Sequence, residues 1–121
     1  MIVSNLWEYG PQARPGAGAG LDLVGFDVEA TDGKIGSVDE ETTEVGSAHV
    51  VVDTGFWIFG KHVVLPAGTI RRIDPQERKV YVALTKDQIK DAPEYDKDKH
   101  RGDAAYRTEL GEYYRGQNIA I

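Results

Sequence analysis

The sequence predicts a mainly β fold: a small, strongly bent antiparallel sheet or barrel, closed by a short helix and extended by a C-terminal one. Three observations predict it. Short period-two runs recur between residues 21 and 84, separated by turn residues at regular intervals. Glycines interrupt the alternation inside those runs, as the bends of a small barrel require. At Thr85 the pattern changes to a capping box, after which apolar residues fall at helical spacing. A chain of 121 residues suits one domain, burying roughly two-thirds of its unfolded surface.

The first twenty residues read as a flexible arm. Pro11, Pro15 and the alternating Gly16, Gly18 and Gly20 sustain neither a helix nor a strand ladder. Leu6, Trp7 and Tyr9 precede them, and either dock back onto the domain or wait for a partner. From residue 21 the period is two, with Val24, Phe26, Val28 and Ala30 on one face. Asp32-Gly33 supplies a tight hairpin turn. A second strand follows over 35–40, with a bulge or bend at Gly36. Residues 41–47 form a polar loop. Ala48, Val50 and Val52 then share a face.

Thr54-Gly55 turns the chain into Phe56-Trp57-Ile58-Phe59, apolar on both faces. Residues 61–65 are extended and stop at Pro66. Residues 69–73 form another strand whose phase breaks between Ile70 and Ile73. The last strand, 79–84, points Val80, Val82 and Leu84 inward. Thr85 and Gln88 then make the capping box of a helix over about 86–91, which ends before Pro93. Residues 94–103 are charged and irregular. Asp103 caps a final helix in which Tyr106, Leu110, Tyr113 and Tyr114 form one apolar stripe.

These residues resemble the PRC-barrel family over about residues 21–96. The resemblance rests on Leu23-Val24-Gly25-Phe26 opening a strand and on Asp32-Gly33-Lys34-Ile35-Gly36 as a hairpin. It continues through Val63-Val64-Leu65-Pro66-Ala67-Gly68 and Val80-Tyr81-Val82-Ala83-Leu84. Thr85-Lys86-Asp87-Gln88, running on to Pro93, is similar to the family's closing helix. The tail around Tyr106 to Tyr114 is similar to that of stand-alone actinobacterial members. The division implied is an arm (1–20), a PRC-type domain (21–96), and a charged linker with helical tail (97–121). Family members serve as docking modules: on the reaction-centre H subunit, in a ribosome-maturation factor and in archaeal division proteins. The resemblance therefore implies protein–protein recognition and brings no catalytic residue with it. The membrane helix of the first and the second barrel of the next have no counterpart in this sequence, so neither role transfers as it stands.

Composition narrows the function classes. With no cysteine, disulfides, thiol nucleophiles and cysteine-bound zinc are excluded. The net charge of −6 disfavours general nucleic-acid binding, which depends on neutralising phosphates. No apolar run approaches the roughly 20 residues of a membrane helix. The amino terminus also lacks a secretory pattern, so a cytoplasmic domain without membrane insertion is expected. Charge is uneven: residues 1–60 sum to −8 and residues 61–121 to +2. That difference can orient a partner or a second copy, unless packing mixes the two halves.

No chemistry-bearing motif survives inspection. A dinucleotide loop starting at Gly16 would need glycine where Leu21 stands, and no strand precedes it. A calcium loop starting at Asp96 would place Arg101 and Arg107 where glycine and glutamate belong. His49, His62 and His100 lie on separate segments. The expectation is a non-enzyme without cofactor or metal.

The positive signal is hydrophobic. Phe56, Trp57, Ile58 and Phe59 cannot all face one barrel interior, so two of them need another cover. The tail stripe of Tyr106, Leu110 and Tyr114, the N-terminal arm and another subunit are the three candidates. These seven residues are the expected partner or self-association surface. The function expected is a non-catalytic docking or assembly module with a protein partner, and a homodimer where the cover is another copy. The alternative is a barrel that binds a small molecule or an ion. An adaptor should expose an apolar patch, whereas a binder should show a pocket with convergent polar groups.

Overall fold

A computed structural model describes residues 6–7, 22–42, 48–55, 62–100 and 103–117. Its strands are β1 (Asp27–Ala30), β2 (Gly33–Thr42), β3 (His49–Asp53), β4 (His62–Pro66), β5 (Ile70–Asp74) and β6 (Lys79–Val82). A single 3-10 turn, Ala67–Thr69, joins β4 to β5. Three helices follow: α1 (Lys86–Lys90), α2 (Lys97–His100) and α3 (Ala104–Arg115). The strands form one sheet in the order β4-β3-β2-β1-β6-β5. The mainly β expectation holds.

Two features of that expectation change. The sheet is mixed rather than antiparallel throughout, because β1 and β6 pair in parallel, Asp27 opposite Lys79 and Val28 opposite Val80. Also, no ladder joins β4 to β5 among the described residues, so the sheet is not closed into a barrel. Both differences follow from the turn at residues 67–69. Were it a hairpin, β5 would reverse and pair with β4. Instead the chain passes from one edge of the sheet to the other, and the β5–β6 hairpin then lays β6 beside β1.

That connection demands a strong curl. Five interstrand gaps of about 4.8 Å would set the edges of a flat sheet about 24 Å apart. The four Cα steps from Pro66 to Ile70 reach about 15 Å at most. The sheet must therefore roll until its edges approach each other at this corner. Three bulges help it to bend. One residue of β2 is skipped at Ile35, beside Gly36, and another at Asp39. The third is Arg71 on β5, where the sequence breaks phase between Ile70 and Ile73.

The core lies on both faces of the β3–β4 pair, since Val51 and Val64 are buried as well as Val50, Val52, Val63 and Leu65. Val28, Val50, Val80 and Val82 are fully buried, as the alternation predicts, together with Ile35, Val38, Leu65 and Ile70. Val24 is the exception. Alternation puts it on the face of Phe26, Val28 and Ala30, yet it is 44% exposed while Leu23 is buried. Gly25, at φ +90°, turns the chain there, and the Phe26 amide donates back to the Leu23 carbonyl at 2.9 Å. The strand begins only at Asp27, and the period-two phase does not extend back to Val24.

The β1–β2 turn and the first helix are tied together. Gly33 has φ +136°, and the Asp32 carboxylate accepts from the Lys86 amide at 2.9 Å. The capping box is complete. Thr85 Oγ1 accepts from the Gln88 amide at 3.1 Å, and Gln88 Oε1 accepts from the Thr85 amide at 2.9 Å. Thr85→Ala should cost about 1 kcal/mol in urea melts. An unchanged midpoint would show that the cap contributes nothing. Residues 94–100 are less irregular than their composition suggests. Tyr95 bridges to His62 at the β4 edge, and the Asp96 carboxylate accepts from the Asp98 amide at the start of α2.

Candidate functional site

Phe56, Trp57, Ile58 and Phe59 lie outside the described residues. The other three residues of the expected association surface are on α3. Asp103 caps that helix through the Ala105 amide at 2.9 Å, which sets the rotation of the stripe. Tyr106, Leu110 and Tyr114 all point into this chain's own core and are buried. The stripe is thus covered within the chain, and none of its three members lies on the surface of the monomer. Tyr106 donates to the Pro93 carbonyl at 2.9 Å, and Tyr113 to the Gln88 carbonyl at 2.6 Å. These two bonds staple α3 to α1 and to the segment after it.

Burial is the first cause that pushes the Tyr106, Tyr113 and Tyr114 phenols up, with neighbouring carboxylates or phenols adding to it. All three therefore stay neutral, and Tyr106 and Tyr113 act as donors. The Tyr114 hydroxyl is buried without any hydrogen-bond partner. Its ring meets Tyr113 edge-on at 5.1 Å, so packing holds it in place. Because an orphaned hydroxyl carries a desolvation penalty, Tyr114→Phe should stabilise the chain by about 1 kcal/mol. A lower midpoint in thermal melts would contradict this.

The arm residues Leu6 and Trp7 dock. The Leu6 carbonyl accepts from the Gly68 amide at 2.7 Å, and the Trp7 carbonyl from the Ala48 amide at 3.0 Å. Leu6 is 1% exposed and belongs to the core cluster, while Trp7 meets the His49 ring edge-on at 6.0 Å. Helix α3 forms the opposite wall. A Cβ on Gly111 would lie 3.4 Å from Trp7 Nε1 and 3.8 Å from Leu6 Cδ2. The corner formed by β3, the 3-10 turn and α3 is therefore a seat for an apolar dipeptide in a turn, bound by main chain and side chain together.

A second concavity, of about 400 Å³, opens beside β1, β2 and the end of β3. It is lined by Asp27, Lys34, Ile35, Gly36, Ser37, Asp53, Thr54 and Gly55. Register explains the polar groups: Ser37 stands directly opposite Asp27 on one side and Asp53 on the other. Lys34 Nζ pairs with Asp27 at 3.2 Å, and Asp53 accepts from the Gly55 amide at 2.9 Å. Sequence reasoning missed this convergence, since the three positions are far apart in the chain and only pairing aligns them. His49 and His62 do not converge. β3 and β4 are neighbours, but His49 stands opposite Pro66 and His62 opposite Asp53, at the two ends of the ladder. His62 Nε2 instead lies 3.6 Å from an Asp39 carboxylate oxygen.

No group of three or more metal-ligating side chains occurs among the described residues. Among them, no helix is long and apolar enough to cross a membrane. No family model matches the chain. An uncharacterized protein of Deinococcus radiodurans is 38% identical over 81 residues, covering 64% of this chain and 27% of the relative. The chain thus spans about a quarter of the length of that curated relative.

Proposed function

We propose that this chain is a non-catalytic protein–protein docking module built on a PRC-type barrel, the family its sequence resembles. The observation that carries the reading is the seat of Leu6 and Trp7, where the rolled sheet receives two apolar residues of a turn through main-chain hydrogen bonds. Backbone bonds of this kind can supply affinity to a docked segment while a side-chain pocket supplies selectivity. The near approach of the two sheet edges at residues 67–69 supports the barrel part of the proposal. The partner in this reading is a protein, with a second copy of the chain as one candidate.

The residues 56–59 enter the proposal from their sequence, since four consecutive large apolar groups suit a contact between elements or subunits. Trp57→Ala should shift sedimentation toward monomer while circular dichroism still reports a folded β protein. The decisive experiment is affinity capture from the native host with wild-type and Trp57→Ala baits, read by mass spectrometry. A wild-type bait that is monomeric at high concentration and captures nothing stoichiometric would sink the docking reading.

One observation favours the alternative, a small-molecule or ion-binding domain. The groove beside Gly36 gathers two carboxylates, an ammonium group and two hydroxyls, and among the described residues Val24 is the one large exposed apolar side chain. A thermal-shift screen of small polar ligands separates the two readings.

A further inference from the structure

The groove at Asp27, Ser37 and Asp53 already holds one ammonium group, supplied by the chain itself. Three neighbouring strands set these residues side by side on one face, Asp27 on β1, Ser37 on β2 and Asp53 on β3. Lys34 Nζ lies 3.2 Å from the Asp27 carboxylate and fills that end. The other end repeats the acceptor without the cation. Asp53 Oδ1 accepts from the Gly55 amide at 2.9 Å, which fixes the carboxylate in orientation. Among the described residues no cation pairs with it. His62, its ladder partner on β4, lies instead 3.6 Å from Asp39. Two interstrand spacings, about 10 Å, separate the Asp27 and Asp53 backbones, so the ammonium at Asp27 leaves Asp53 uncompensated. The lining thus carries two negative charges and one positive, a net of −1. The Asp53 end is also open, since a Cβ on Gly55 would meet nothing within 4 Å.

We propose that this groove binds a small primary amine as its ammonium ion, seated between Asp53 Oδ2 and the Ser37 hydroxyl. Lys34 at Asp27 is the internal precedent for that chemistry. The inference rests on the small-molecule reading and gives it a ligand class; it is independent of the docking reading. A hard divalent metal ion is the poorer occupant, because such ions take six or more oxygen ligands. No group of three or more metal-ligating side chains occurs among the described residues. An ammonium asks only for acceptors on its three N–H bonds. Asp53 supplies a charged acceptor, which makes the stronger kind of hydrogen bond, and Ser37 a neutral one. The concavity of about 400 Å³ leaves room for a short carbon chain behind the nitrogen.

The test is a titration of the full chain with n-butylammonium chloride, read by amide NMR at constant ionic strength. Saturable shifts at Ser37, Asp53 and Gly55 are expected, and their absence overturns the inference. N,N,N-trimethylbutylammonium has the same charge and chain but no N–H donor, so it should give no saturable shifts at those amides. Equal binding of the two cations would overturn the proposed seat. Calcium chloride tests for a plain acidic site: the same shifts at lower concentration than with the amine would also overturn it. Asp53→Asn keeps an acceptor for the Gly55 amide while removing the charge, and should weaken butylammonium binding about tenfold or more. Unchanged affinity in that variant counts against the seat. Circular dichroism checks its fold, and Ser37→Ala, expected to weaken binding severalfold, gives a second reading if it does not fold. If a thermal-shift screen finds another class of ligand for the groove while butylammonium gives no saturable shifts, the small-molecule reading stands and the ammonium inference falls.

Discussion

Gly36→Ala should cost about 3 kcal/mol or more, enough to leave much of the chain unfolded. Two independent causes act at this position. The backbone has φ +156°, on the left-handed side where a Cβ is poorly tolerated. An added Cβ would also lie 2.1 Å from the Asp53 carbonyl oxygen and 2.9 Å from its carbon. These are main-chain atoms of the neighbouring strand, so no flexible side chain can swing aside. Relief would require β2 and β3 to separate at the pair Ser37 and Asp53, where the ladder enters the β2 bulge. Gly55→Ala is the matched control. It has φ +56° but nothing within 4 Å of an added Cβ, so conformational strain alone should cost it about 1 kcal/mol. Urea melts of the two variants separate strain from collision. Equal midpoints for both would show that the close approach at Gly36 relaxes without cost.

Gly36 also marks how far local sequence carried. A glycine that breaks alternation implies a bend, and the bulge lies beside it. Thr85 with Gln88, and Asp103 ahead of Tyr106, likewise encode helix starts through contacts only a few residues long. Such features are legible because both partners sit in one short window. The parallel pairing of β1 with β6 is different. Val28 and Val80 read as inward residues, but nothing local says that their strands are neighbours or run the same way. The direction was decided by the turn at residues 67–69, whose Ala-Gly-Thr sequence behind Pro66 reads equally as a hairpin. The groove of Asp27, Ser37 and Asp53 was illegible for the same reason, since only register brings the three together. Leu6 and Trp7 were visible as apolar residues on an arm. Their destination depended on Ala48, Gly68 and Gly111, which are small residues with no pattern of their own.

Leu110→Ala should destabilise the chain by about 3 kcal/mol, within the range for truncating a fully buried leucine. Leu110 is 0% exposed and sits centrally on the buried face of α3, between Tyr106 and Tyr114. Its loss removes apolar contact and leaves a cavity that two rigid tyrosine rings cannot fill. The helix cannot compensate from within. At 12 residues, including Gly111, it is too short to be stable alone and persists through its packed stripe. Consequences should therefore reach the arm. Gly111 adjoins Leu110 and forms the wall against Leu6 and Trp7, so a loosened α3 widens the seat of the dipeptide. Amide exchange at Ala48 and Gly68, whose N–H groups donate to Trp7 and Leu6, should accelerate in Leu110→Ala. Glu109→Ala, one residue earlier on the exposed face, should stay within about 0.5 kcal/mol of wild type and leave those amides protected. If Leu110→Ala lowers stability while the Ala48 and Gly68 amides exchange as before, the sheet alone holds the arm and α3 is only a cover for the core.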